Sequence, residues 1–214
     1  MMTNFNHQCQ TDQLFFVIMT DTNSPNSQSF TRIQILAFMG VTAVILLTIA
    51  QIWRTFASIR IVPVEFNITA IFLGIIIAFG IIVATSILDA TLESYRRSAE
   101  DYLELIVTPL VFPDLIWLGL LPGLSEELLF RGVMIPAFGY DLFAIIVSSI
   151  LFGVLHLSDK QNWYYVLWAI VIGLILGYSV YFTNNLLVPI LAHSLINFFS
   201  GLIWKIKKRM INTK

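Results

Sequence analysis

Charge is scarce in this chain of 214 residues: Asp, Glu, Lys and Arg make up only 12% of it. A water-soluble domain carries about 25%, and with 57% hydrophobic residues and a mean hydropathy of +0.83 the composition places the chain in a membrane. The apolar stretches leave too little chain for an aqueous domain of useful size. Cysteine is nearly absent. The single Cys9 excludes an intramolecular disulfide, a zinc ribbon and a CxxC redox pair. No His-Glu-x-x-His helix occurs, no internal repeat is visible, and residues 1–31 lack the basic and long apolar regions of a signal peptide. That segment, rich in Asn, Gln, Ser and Thr, reads as a polar N-terminal tail.

What is present is a series of apolar runs. About 20 apolar residues cross a bilayer, and Ile33–Trp53, Ile68–Leu88, Pro113–Ile135, Leu142–Leu157, Trp163–Phe182 and Leu186–Trp204 approach or reach that length. The expected fold is all-α, a polytopic membrane helix bundle of about six transmembrane helices. Residues 32–104 would supply two spans and a charged interfacial segment, 105–204 the remaining bundle, and 205–214 a basic cytoplasmic tail. Within 89–104, the pairs Glu93/Arg97, Arg96/Glu100 and Arg97/Asp101 have helical i, i+4 spacing, which suggests a solvated helix with no chemistry of its own. Pro109, Pro113 and Pro122 suggest a kinked approach to the third span. Asn67-Ile-Thr69 matches a glycosylation acceptor, a pattern too short to carry weight.

The net charge of -1 conceals an asymmetry. Lys205, Lys207, Lys208, Arg209 and Lys214 hold five of the twelve basic residues. With Arg32, Arg96, Arg97 and Lys160 they would lie inside if both termini are cytoplasmic, leaving Arg54 and Arg60 outside. The basic run is thus a topology signal, and nucleic acid is not an expected partner.

Against that background, ionisable groups within spans stand out, because a charge in hydrocarbon is costly unless paired or facing a wet cavity. Ser125-Glu126-Glu127-Leu128-Leu129-Phe130-Arg131-Gly132 sets two carboxylates and an arginine inside the third span. Phe152-Gly-Val-Leu-His156 and His193-Ser-Leu-Ile-Asn197 add polar groups to two others. On a helix, Glu127 and Arg131 form an i, i+4 pair in the better orientation. Glu126 then points about 100° away without a partner, as a general base requires. Counted inward from the turns near Gly139 and Asn184 at 1.5 Å per residue, Glu126 lies roughly 20 Å deep, His156 roughly 25 Å, His193 roughly 13 Å and Asn197 roughly 19 Å. Convergence on one site is expected. Gly173 and Gly177 form a GxxxG pattern suited to close helix packing.

These three segments, with the order EExxxR, FxxxH and HxxxN, resemble the signature motifs of the CPBP family, the type 2 CAAX prenyl endopeptidases and bacteriocin-processing enzymes, also called the Abi family. The resemblance covers about 113–200 and implies a catalytic bundle within 105–204 that acts as an intramembrane endopeptidase. By carry-over, Glu126 and His156 would activate the hydrolytic water. His193 and Asn197 would stabilise the oxyanion, and Glu127, Arg131 and Phe152 would support the site. The expected partners are membrane lipid and a peptide or protein substrate, with or without a lipid attached. Metal use stays open: Glu126, His156 and His193 would be the ligands of a zinc ion of the His₂Glu type, whereas glutamate-activated water needs no ion. Two other functions remain open at this level, a non-catalytic immunity or scaffold protein and a proton-coupled transporter carrying protons on Glu126.

Overall fold

The computed structural model describes residues 30–157 and 162–212; the tail reading, Cys9, Lys160 and Lys214 fall outside them. Every regular element among the described residues is helical. The helices are α1 (Arg32–Phe56), α2 (Ile68–Thr91), α3 (Glu93–Val107), α4 (Leu115–Glu127), α5 (Leu142–Val154), α6 (Trp163–Thr183) and α7 (Leu187–Asn212). A π-helical segment, Leu128–Met134, and one helical turn, Ile135–Ala137, extend α4. The all-α membrane bundle is therefore the observed fold.

Local chemistry sets the helix ends. Thr31 and Gln34 close a capping box at the start of α1, the Gln34 N–H donating to Thr31 Oγ1 (3.3 Å). Asn67 caps α2 by accepting from the Ala70 N–H (2.8 Å), which gives the first residue of the glycosylation-like triplet a structural use. Asp141 does the same for α5 through the Ala144 N–H (2.8 Å). Asn184, with φ 48°, stops α6 in the left-handed conformation.

The span count needs correction. Among the described residues four helices are long and apolar enough to cross a membrane, at Arg32–Phe56, Ile68–Thr91, Trp163–Thr183 and Leu187–Ile211, and the bent α3–α4 pair would make a fifth span if taken as one. The expected fourth span is α5, whose 13 residues reach only about 20 Å at 1.5 Å per residue, short of the roughly 30 Å hydrocarbon core. The expected third span is α4 with its π extension, and the chain bends by 107° between α3 and that element. Proline explains the bend: Pro113 sits in the 3-10 turn Phe112–Asp114, where its missing N–H costs nothing. A bidentate pair locks the corner, Arg32 Nε and Nη2 donating to Asp114 Oδ2 (2.7 Å) and Oδ1 (2.8 Å).

Two charged segments also differ from expectation. Only the Glu93–Arg97 pair of the three forms on α3; Arg96 donates instead to the Asp89 carbonyl (3.3 Å), and Glu100 faces Lys207 (3.6 Å). The helix is not simply solvated, because Tyr95, Ser98, Ala99 and Val107 are buried. Residues 205–212 continue α7 rather than form a separate tail. There Lys207 reaches Asp89 (3.2 Å) and Lys208 reaches Glu104 (3.1 Å).

Small residues bring the helix backbones together. A Cβ placed on Gly119 would lie 2.5 Å from the Ser194 carbonyl oxygen, and one on Gly123 would collide with Ser194 Oγ, so α4 and α7 meet through these two positions. Gly173 and Gly177 seat α6 on α5 at Ser149 and Ile145. At one end of the bundle the connecting loops interlock, with the Leu186 N–H donating to the Pro63 carbonyl (2.8 Å) and Tyr140 Oη donating to Asn184 Oδ1 (3.1 Å). The other end is less tightly filled.

Candidate active site

Near that end, where α1 begins and α7 finishes, lies a cavity of about 560 Å³. Its walls come from all seven helices, α2 contributing Thr85, and are mostly apolar. Glu126, His156, His193 and Asn197 all line it, together with Phe152. The three sequence segments thus converge on one space, as the depth count allows.

Beneath the cavity floor sits a charge cluster with no solvent contact. Glu127 and Arg131 are each 0% exposed. Glu127 Oε1 accepts from Arg131 Nη1 (2.7 Å) and from His193 Nδ1 (2.7 Å). Arg131 Nη2 donates to the Gly173 carbonyl (3.2 Å), and its guanidinium lies 4.3 Å from the centroid of the Phe152 ring. A Cβ on Gly173 would stand 3.3 Å from that nitrogen, so the glycine both admits α5 and leaves room for the arginine. The neighbouring backbone is π-helical, a local form often found at functional sites. There the Phe130 carbonyl takes a hydrogen bond from Ser148 Oγ (2.8 Å) as well as from the Ile135 N–H.

The two adjacent glutamates face different surroundings because successive helical residues are rotated by about 100°. Glu127 is enclosed in the ion cluster. Glu126 borders the cavity, and its buried Oε2 has no hydrogen-bond partner among the described residues.

The histidines differ as well. His156 Nδ1 donates to the Phe152 carbonyl (2.9 Å); a carbonyl can only accept, so this tautomer leaves Nε2 as the ring's proton acceptor. His193 Nδ1 donates to a carboxylate, so the ring can donate from Nε2 as well only when that nitrogen also carries a proton. Phe152 touches both, its centroid 4.8 Å from the His156 ring and 5.6 Å from the His193 ring. Asn197 follows His193 by one helical turn and lines the cavity.

Residues 108–199, which contain all of these groups, match the family model described as Type II CAAX prenyl endopeptidase Rce1-like. Over that segment the chain is similar to the Rce1-like family. Two curated bacterial relatives align with it. It is 34% identical over 85 residues to the protein named Uncharacterized protein YpbD of Bacillus subtilis (strain 168), covering 40% of this chain and 42% of the relative. It is 31% identical over 84 residues to the UPF0177 protein YxdF of Lactococcus lactis subsp. lactis (strain IL1403), covering 39% of this chain and 46% of the relative. The chain thus spans less than half the length of these relatives. No solved structure matches it.

A zinc ion held by Glu126, His156 and His193 does not fit this site. The three residues border one cavity, yet no group of three His, Cys, Asp or Glu side chains among the described residues is gathered closely enough to hold a metal.

Several other residues take part in the site. The bond from Glu127 to His193 joins residues 66 positions apart. Gly119 and Gly123 have the same spacing as Gly173 and Gly177 and could have been read as a second close-packing motif. Tyr95, Ala99, Tyr102 and Ile106 form an apolar stripe on α3 at helical spacing, and all four line the cavity.

Proposed function

We propose that this chain is an intramembrane endopeptidase in which Glu126 and His156 activate water for attack on a peptide carbonyl. The observation that carries this reading is the meeting of Glu126, His156, His193 and Asn197 at one cavity, within the Rce1-like segment. Glu126 Oε2 and the His156 Nε2 lone pair provide the proton acceptors for the water. Hydroxide adds to the carbonyl carbon, and the resulting oxyanion receives hydrogen bonds from His193 and the Asn197 amide. Collapse breaks the C–N bond, and the proton taken from water passes to the departing amine. Glu127 holds the His193 ring and balances the charge on it, the part that an aspartate performs in hydrolytic triads. No step requires an ion.

The substrate in this reading is a peptide or protein with an apolar segment, lipid-bearing or not, because Ile35, Phe38, Met39 and Ile106 extend the cavity in apolar surface. Purified protein in liposomes is expected to cleave a quenched apolar peptide at a rate that chelator leaves unchanged. Absence of cleavage across an apolar peptide library would favour the scaffold reading, and loss of cleavage with chelator would restore a metal to the mechanism.

Both termini are placed in the cytoplasm, with the active cavity in that half of the bilayer. The basis is the charge asymmetry, since basic residues are retained on the cytoplasmic side. A reporter fused after Lys214 is expected to be active inside the cell; activity confined to the outer side would reverse the topology.

A further inference from the structure

His156 is held in the cavity wall by one side-chain hydrogen bond. It lies two residues beyond Val154, the last residue of α5, with its own N–H bonded to the Gly153 carbonyl (3.0 Å) in a closing turn. The single bond from Nδ1 to the Phe152 carbonyl fixes the tautomer but leaves the ring free to tilt about that axis. What limits the tilt is an aromatic enclosure. The Phe152 ring lies 4.8 Å away, and two tyrosines, Tyr102 of α3 and Tyr165 of α6, stand 6.3 Å and 6.2 Å away. The tyrosines stack on each other at 4.6 Å with a 25° interplanar angle, so neither ring moves without the other. Ser98, one helical turn before Tyr102, ties the pair together by accepting the Tyr165 N–H on its Oγ (3.2 Å).

We infer that Tyr102 and Tyr165 are positioning residues for His156, making α3, which lies outside the matched segment 108–199, a working part of the active site. This inference rests on the endopeptidase reading for its kinetic consequence but not for its geometry. The stacked rings flank the imidazole at tilted angles of 43° and 55°, so the bulk of the aromatic ring is the needed feature and the Tyr102 hydroxyl is not. A catalytic group displaced by 1 Å can lose about 100-fold in rate, and such an error affects the chemical step more than substrate binding.

The test compares Tyr102→Leu with Tyr102→Phe by two readouts. In peptide cleavage, Tyr102→Leu is expected to lower kcat by about 10- to 100-fold with KM within about twofold, while Tyr102→Phe restores the wild-type value. In the resting protein, diethyl pyrocarbonate modification of His156, followed by mass spectrometry, is expected to accelerate several-fold in Tyr102→Leu and stay unchanged in Tyr102→Phe. If Tyr102→Leu fails to accumulate, Ser98→Ala decides, since it removes only the tether and should shift both readouts in the same direction. Unchanged His156 reactivity and kcat in Tyr102→Leu, or in Ser98→Ala where that variant is the one tested, would overturn the inference. A Tyr102→Phe variant as impaired as Tyr102→Leu would also overturn it, by assigning the effect to the hydroxyl. If wild-type protein cleaves nothing but His156 reactivity still responds as described, the positioning role stands and the endopeptidase reading fails.

Discussion

Glu126→Gln is expected to be produced at wild-type yield and to cleave peptide about 10²- to 10⁴-fold more slowly, the range that general-base catalysis contributes. The substitution keeps the side chain's size and replaces a proton acceptor with an amide that cannot take a proton. Yield is spared because Glu126 Oε2 has no partner among the described residues and the residue borders an open cavity, so no buried bond is lost. Initial rates and detergent thermal melts on the same preparation check both halves. Full activity of a well-folded Glu126→Gln protein would remove Glu126 from the chemistry and leave the cavity without its proposed base.

The adjacent position behaves in the opposite way. Glu127→Gln is expected to cost about 3–5 kcal/mol of stability, the range measured when one partner of a buried ion pair is removed. Glu127 neutralises Arg131 and also receives the His193 N–H, all three groups being at most 3% exposed. An amide in its place could still accept one bond, but the guanidinium would remain charged in a space closed to water. Low yield and a depressed melting temperature in detergent are the expected readings. A second variant separates charge from shape: Glu127→Leu combined with Arg131→Met removes both charges and should recover much of the stability. It should recover no activity, because His193 still lacks its carboxylate. Wild-type melting behaviour in Glu127→Gln would show that Arg131 is not dependent on this carboxylate.

Much of the site was legible because a membrane leaves few explanations for a polar side chain. Glu126, Glu127, Arg131, His156, His193 and Asn197 stood out against apolar surroundings, and helical spacing alone paired Glu127 with Arg131. Depth could be counted because an α-helix rises by a fixed distance per residue. The α5 segment was harder to read: an apolar run beginning at Leu142 looks like a span, yet the helix ends at Val154, and composition does not disclose where a helix turns. The α3 helix differs from its sequence pattern for a related reason. Its charges form the i, i+4 pattern of a solvated face, whereas the opposite face, with Tyr95, Ala99 and Tyr102, had no visible partner until α6 was placed beside it.

The sequence by itself determined the membrane class, the helical fold, the polar residues that share a site and the local pairing of Glu127 with Arg131. Each follows from hydropathy or from the 3.6-residue turn, and both are properties of neighbouring residues. The tertiary structure decided what joins distant ones: the bond from Glu127 to His193, the passage of α4 over α7 at Gly119 and Gly123, and the tyrosines around His156. It also decided that Glu126 borders the cavity while Glu127 is sealed beneath it. A helix's own geometry sets two side chains about 100° apart, but only the helices packed around it determine which direction is protein and which is open space.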